Sequence, residues 1–545
     1  MYGLVAAGGA CNAIFGVDGL TYDGAGGTAT GAGGSGTGTG MGGAAASCAE
    51  GDTRSCYEGA PGTDGVGPCV AGVEACDGGS WSGVCEGQVV PTVESCATDV
   101  DDDCDGSNCG DLLFATTFGL AGDQIVTEVL VDADGAMIVG GTYDGDLGLD
   151  PTVDPVSNAD GFVAIFDPVG VATELIQFGG GPTYTNDVAL GPGGDLFVVG
   201  GYINNLSINQ VDQINGANGA FDGFVARVTR AGQVVWVRQI GAGAGDTVYT
   251  VDYHPTGGLY VGGTYSSASL QVDGMDVGPG NAANFDAFVI RFDEDGSPLW
   301  AQAYGNGDVD TVEGVAAVPT GGVMLAMGVS SGANLGLPHQ GNRDAAAVRL
   351  DDSGDVVWAR AFGSGAEDRF EAVAHHPDGH AIAVGTISGA TTFDDVDVVA
   401  AGTDAVAVAM DGASGAVLWV APISSPGDDL ATSVDVDGSG RVYVGGAHGG
   451  PIMVGDFMLP DASGRRSPFV ARLLGDGSID YAFGWLADAT PIGWSNDHGH
   501  VELAAASDGT LVAGGQFVTD IDFGRRVGVI AANDASDAFL VRLAP

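Results

Sequence analysis

From Asp111 onward the chain repeats itself about every 60 residues. A glycine marker recurs at Gly140, Gly200, Gly262, Gly328, Gly385, Gly445 and Gly514, and reads as the stop that ends one strand of each unit. In register with it runs a second marker: DGFVAIFD (160–167), DGFVARVT (222–229), DAFVIRFD (286–293), DAAAVRLD (344–351), DAVAVAMD (404–411), SPFVARLL (467–474) and DAFLVRLA (537–544). A third is the run ending in Phe-Gly or similar, as in VVWVRQIG (234–241), PLWAQAYG (298–305) and VVWARAFG (356–363). Each unit holds four short β-type runs joined by tight turns, and helical periodicity is absent.

Seven such units predict an all-β chain folded as a seven-bladed β-propeller over 111–545. Alternation in VVWARAF puts Val356, Trp358, Arg360 and Phe362 on one face, so neighbouring blades can bury their aromatics against each other. The last unit stops after its third run, and DLLFATTFG (111–119) supplies the missing fourth. The expectation is a ring closed by pairing of this N-terminal strand with the last blade, which leaves no open edge.

Short turns such as DADG (132–135), DEDG (293–296), DDSG (351–354) and HPDG (376–379) belong to one face of such a ring. Longer connections, among them 142–159, 202–221, 264–285, 446–466 and 516–536, fall on the other, which is the candidate working surface. There, six units place an aspartate at the start of the innermost strand: Asp123, Asp246, Asp310, Asp368, Asp429 and Asp497, with Thr183 in the second unit. Two readings stand side by side: a ring of carboxylates at the channel mouth for a cation or basic ligand, or a turn cap in each blade. His498-Gly499-His500 with Asp497 and Glu502 is the one dense histidine group, and reads more readily as a polar strand start than as a metal site. His375-His376, beside a turn, is expected to be solvated.

Acidic residues outnumber basic ones 71 to 16, every basic residue is arginine, and the formal charge is −55. Without lysine there is no Schiff base, no phosphate-loop lysine and no ammonium base. The charge repels nucleic acid and anionic headgroups, so neither is expected as a direct partner. Most of it is a solvated surface.

All nine cysteines lie in the first 109 residues. Cys11 follows small residues, as at the end of a lipoprotein signal peptide, and a Gly-rich stretch (24–46) follows as a tether, so lipidation of Cys11 is expected. No run of eighteen apolar residues is present to span a membrane. Cys48, Cys56, Cys69, Cys76, Cys85, Cys96, Cys104 and Cys109 read as a disulfide module of an oxidising compartment, with the pairing open. No Cys-x2-Cys pair supports zinc. Asp99, Asp101, Asp103 and Asp105, followed by Gly106, suit an oxygen-ligand calcium loop, against an exposed acidic linker. The chain thus divides into 1–46 (signal-like start and tether), 47–110 (disulfide-rich module) and 111–545 (propeller).

The stretch Arg54-Ser55-Cys56-Tyr57, Gly67-Pro68-Cys69, Cys76, Trp81, Cys85, Glu94-Ser95-Cys96 and Asp101 to Gly106 resembles the Cys-rich, MopE-type metal-binding module of bacterial surface lipoproteins. Ser107-Asn108-Cys109 departs from the further acidic residues usual there. The repeat pattern DAFVxRLD…G…W…FG…GD…V…DG…VGG is similar to the SBBP (seven-bladed β-propeller) repeat family across 111–545. That resemblance implies the fold and little about activity.

AVAMDGASGAVLW (407–419) resembles one repeat of quinoprotein dehydrogenases, and DSGDVVW (352–358) partly echoes a sialidase box. No Gly-x-Ser-x-Gly elbow or His-Glu-x-x-His motif occurs. The expected protein is therefore a non-enzymatic, exported, lipid-anchored envelope protein whose monomeric propeller binds a protein or polysaccharide, with calcium as the one cofactor and no organic one. A structural envelope role, and a propeller hydrolase or quinoprotein-like oxidoreductase, are the alternatives.

Overall fold

The structure is a computed structural model of the chain, and it describes residues 48–60, 62–91, 101, 104, 111–149, 155, 157, 159–215, 220–241, 244–267, 269–272, 275–278, 284–305, 308–330, 334–455, 457–459, 466–487, 501–523, 529–533 and 536–544. The chain forms two compact units: 1–56 with 73–86, and 57–72 with 87–545.

In the first unit, disulfides Cys48–Cys76 and Cys56–Cys85 staple a small antiparallel sheet built from Thr53–Cys56, Gly72–Asp77 and Ser80–Trp81. Arg54 pairs with Glu74 at 2.6 Å and stacks over Trp81 at 4.5 Å. Its guanidinium holds the Glu74 carboxyl below the usual carboxylate range. A third disulfide, Cys69–Cys104, lies in the second unit. Bridges of this density mark an oxidising, extracytoplasmic compartment. Cys11, Cys96 and Cys109 lie outside the described residues.

The second unit is a ring of seven antiparallel blades, each of four core strands and numbered from the first strand, Gln124–Val131. First strands of blades 2 to 7 are Thr183–Leu190, Asp246–Tyr253, Thr311–Ala317, Arg369–His375, Leu430–Val436 and Val501–Ala505. Each touches the first strand of the next blade, and that of blade 7 touches that of blade 1. Closure is as expected: Leu112–Phe118 pairs antiparallel with Asp537–Leu543 and completes blade 7. The main-chain bond from Ala544 N–H to the Asp111 carbonyl extends the match.

The glycine marker differs from expectation. Gly140 and Gly141 lie inside the second strand of blade 1, which runs on to Tyr143. The cause is a β-bulge in the strand beside it, between Val126 and Glu128. This turns the Ile125 carbonyl toward Gly141, where any Cβ would collide with it. The same collision awaits a Cβ at Gly263 with the Thr247 carbonyl, so the glycine marks a bulge and not a strand end.

Blades are clasped through tryptophans on the outer strands. The indole N–H groups of Trp236, Trp300, Trp358 and Trp419 donate to the carbonyls of Glu294, Asp352, Gly412 and Gly475 in the next blade, at 3.0, 2.8, 2.9 and 3.1 Å. The ring of Trp300 also lies against Gly354, whose φ of 83° and 3.0 Å clearance leave little room for a side chain. Histidines repeat the device on the short-turn face. Buried His376 meets the Gly440 carbonyl of blade 6 at 3.0 Å, so it is enclosed where a solvated residue was expected.

The long connections also depart from a free loop surface. Five contain small β-hairpins, at 205–215, 270–278, 390–399, 453–458 and 520–531. That of blade 2 pairs with Phe178–Gly180, the outer strand of blade 1, and makes a six-stranded sheet. In blade 7, Asp520–Asp522 pairs with Leu486–Ala487, just beyond the outer strand of blade 6. Hairpins spent this way cover outer edges that would otherwise invite pairing with another chain.

Trp358 is 8% exposed. Trp358→Ala is expected to lower stability by about 3–5 kcal/mol, and Trp358→Phe by about 1 kcal/mol, the net worth of the lost indole bond. Urea unfolding followed by circular dichroism measures both. Equal losses would mean that the hydrogen bond, and not the ring, holds the clasp.

Candidate functional site

The first strands line the central channel, and their polar side chains answer a local need. A first strand has no ladder partner on its channel side, so its N–H and C=O groups want side-chain partners. Asp187 accepts the Val251 N–H, Asp252 the Ala317 N–H and Asp435 the Ala505 N–H, each at 2.7 Å and each from the next blade. Thr127 donates to the Thr185 carbonyl at 2.8 Å, and Asn186 to the Val248 carbonyl at 2.7 Å. Thr250 and Ser433 hydroxyls accept the N–H groups of Val315 and Leu503.

These carboxylates are also forced close together. Glu128 and Asp187 meet, with Glu502 nearby, and burial and the neighbouring charges push Glu128 well above the usual carboxylate range. Burial raises Asp187 as well, so the pair holds a proton where two isolated carboxylates would not. Asp252 of blade 3 feels Asp435 of blade 6, and burial lifts both to about 6.

Toward the long-connection end, the lining turns to arginine. Arg343 pairs with Glu367 at 3.3 Å and reaches the Thr311 hydroxyl at 3.1 Å. Arg369 pairs with Glu371. Thr311 donates to Glu313 at 2.6 Å. Tyr249 lies within the field of Glu313, Arg343 and Arg369, and its hydroxyl is pushed up chiefly by burial. Guanidinium, carboxylate and phenol groups thus meet at one mouth, with carboxylates alone deeper in.

The aspartates expected at that mouth are placed otherwise. Asp246, Asp310, Asp368 and Asp429 are all fully buried at first-strand starts. Asp246 accepts the N–H groups of Ser266 and Ser267, and Asp310 that of Ser330. Asp368 accepts from Ser364 and Ser388, and Asp429 from Ser425 and Gly449. They cap loops instead of facing the channel. Asp123 is out of register: Gln124 faces Tyr143 where Asp246 faces Tyr265, so one extra residue puts Gln124 in the equivalent position. Asp497, His498 and His500 lie outside the described residues, as do Asp99, Asp103 and Asp105. Asp101 is described, and Cys104 is bridged to Cys69. Among the described residues no three His, Cys, Asp or Glu side chains converge as a metal group.

Glu128, Asp187, Asp252 and Asp435 fall on two steps of the first strand, Glu128 with Asp187 and Asp252 with Asp435. They escaped sequence reading because each step carries them in too few blades to stand out as a repeat. The available signal was a carboxylate inside an otherwise apolar strand, as in TVYTVDY (247–253).

Asp252 and Asp435 fold with pKa values near 6, above the unfolded value of about 3.9. The native state therefore binds the extra protons, and their contribution to stability falls as pH rises from about 4 to about 7. Relative to wild type, Asp252→Asn/Asp435→Asn should gain stability over that window, by roughly 1–3 kcal/mol per group. Urea midpoints at a series of pH values measure it; a difference that stays flat with pH would refute the assignment.

No protein-family model matches the chain, and no curated protein does. Among solved structures, the chain is similar to BamB from Moraxella catarrhalis, at 12% identity and a TM-score of 0.31 over 79% of this chain and 99% of that one. A europium-containing methanol dehydrogenase gives 11% and 0.37 over 79% and 92%. Quinohemoprotein alcohol dehydrogenase from Comamonas testosteroni gives 11% and 0.34 over 79% and 76%. Scores this low say nothing of function, and the ring rests on its own strand pairing.

Proposed function

We propose that the chain is an exported envelope protein of the SBBP-repeat type whose propeller binds a protein or glycan ligand at the arginine-bearing mouth of its channel. Its support is the group of Arg343, Arg369, Glu313, Glu367, Glu371 and Tyr249. Third-strand arginines elsewhere in the ring serve the framework: Arg227 pairs with Asp195 and reaches the Glu294 carbonyl of the next blade, and Arg542 holds Asp508 and Thr510. Arg343 and Arg369 instead stand at the channel end, paired with carboxylates that a ligand can exchange for its own. In this reading the protein acts as a monomer, Cys11 carries a lipid that tethers it to the outer membrane, and the Asp99–Asp105 loop holds calcium.

The full chain immobilised as bait and exposed to bacterial envelope extract tests the reading, in calcium and then in EDTA. One saturable protein or polysaccharide is expected, with retention about tenfold weaker for Arg343→Ala/Arg369→Ala. Val357→Ala, on an exposed outer-strand position, serves as the control. Equal retention by the double variant would move the site elsewhere; turnover of a trial substrate would favour the enzyme alternative.

A further inference from the structure

Two aspartates meet at the seams between neighbouring blades, one from the start of a third strand and one from the start of the next first strand. Main-chain bonds set them side by side. Asp310 N–H donates to the carbonyl of Phe285, the residue before Asp286, at 2.9 Å. Asp368 N–H donates to that of Arg343, before Asp344, at 2.9 Å, and Asp429 N–H to that of Thr403, before Asp404, at 2.7 Å. At the seam of blades 2 and 3, oxygens of Asp222 and Asp246 both crowd the space beside Gly241.

The partners are near enough to repel. Asp286 raises Asp310, Asp368 raises Asp344 and Asp404 raises Asp429, each on top of burial. Three oxygens at these seams have no hydrogen-bond partner: Asp310 Oδ2, Asp344 Oδ1 and Asp404 Oδ1. Their residues are 0%, 1% and 1% exposed. In each, the other oxygen is occupied, by Ser330, by Gln340 with His339 at 3.4 Å, and by Ala401. Asp344 Oδ1 is directed at Gly363, where a Cβ would collide with it, and the next residue, Ser364, holds Asp368 through its N–H and hydroxyl. A carboxylate oxygen buried without a partner is strongly unfavourable unless something positive fills the gap.

We propose that each of these four seams, Asp222/Asp246, Asp286/Asp310, Asp344/Asp368 and Asp404/Asp429, binds one calcium ion between its two carboxylates. A serine hydroxyl stands at every one, from Ser267, Ser330, Ser364 and Ser425, as a neutral oxygen. With two carboxylates per seam, main-chain carbonyls and water complete an all-oxygen shell of the kind calcium takes. Two other seams lack the second carboxylate: Thr183 stands opposite Asp160, and Gln124 opposite Asp537. The assignment is independent of the ligand reading above, and it puts the ions where they fasten blade to blade.

The test is elemental analysis of the full chain dialysed against calcium, beside a chelator-stripped sample, with thermal unfolding of both. Four seam-bound equivalents are expected, with a melting temperature that falls on stripping and recovers with calcium. Asp344→Asn/Asp368→Asn should lose one equivalent, while Asp101→Asn/Asp103→Asn leaves the seam count unchanged. Should the first variant fail to fold, Asp404→Asn/Asp429→Asn makes the same measurement. A folded seam variant that keeps all its calcium would overturn the proposal. So would a wild-type chain indifferent to chelator but stabilised by acid, since the pairs would then share protons.

Discussion

A sheet has two edges, and a ring of seven sheets multiplies them; this molecule stands because its edges are covered. Inner edges are bridged by side chains of the first strands, such as Asp187, Asp252 and Asp435 reaching main-chain N–H groups one blade on. Outer edges are met by hairpins, most fully where Asn205–Ile208 pairs with the outer strand of blade 1. The ring itself shuts by the same rule, with Leu112–Phe118 filling the gap in blade 7. Without that strand, the outer edge of Asp537–Leu543 would open, and Phe118 would be lost from the core, with Ala538 and Leu540, that blades 7 and 1 share.

Charge is the second constraint. Sixteen arginines cannot neutralise 71 acidic residues, so most buried carboxylates here take main-chain N–H and hydroxyl donors as partners. Amides satisfy a carboxylate geometrically but leave its charge in place. Where two such groups are brought together, as at Glu128 and Asp187, protons are retained that free carboxylates would release. The same economy explains why arginine is conspicuous at one channel mouth, where Arg343 and Arg369 stand among glutamates. The two kinds of group are thereby separated along the channel: framework carboxylates deep, arginine–glutamate ion pairs at the end.

Much of the architecture was legible in the primary structure. Seven copies of one pattern, and a stray fourth run ahead of the first, specify the ring and its closure because each copy must bury its faces against the next. Trp358 and its counterparts were readable as blade-to-blade contacts from strand alternation alone. Misreadings came where a side chain answers to another strand. The paired glycines look like strand ends but yield to a bulge next to them, as at Gly141 beside Ile125. Asp123 looks like its five counterparts until a one-residue offset gives the place to Gln124. The aspartates at first-strand starts read as caps or as a ring, and their burial and serine partners show caps in Asp246, Asp310, Asp368 and Asp429.

By itself, the order of residues determined the repeat, the all-β character, the closing strand and the oxidising compartment, since these depend on local pattern and on residue type. The tertiary structure alone decided which cysteines pair, as in Cys48–Cys76, Cys56–Cys85 and Cys69–Cys104, since connectivity depends on which chains approach. It also decided which carboxylates face the channel, which cap loops and which meet at seams. Asp252 and Asp435, or Asp344 and Asp368, belong to different blades, and no spacing within one repeat encodes the distance between two. That distance is set by how the blades pack, and it governs burial, repulsion and proton affinity together.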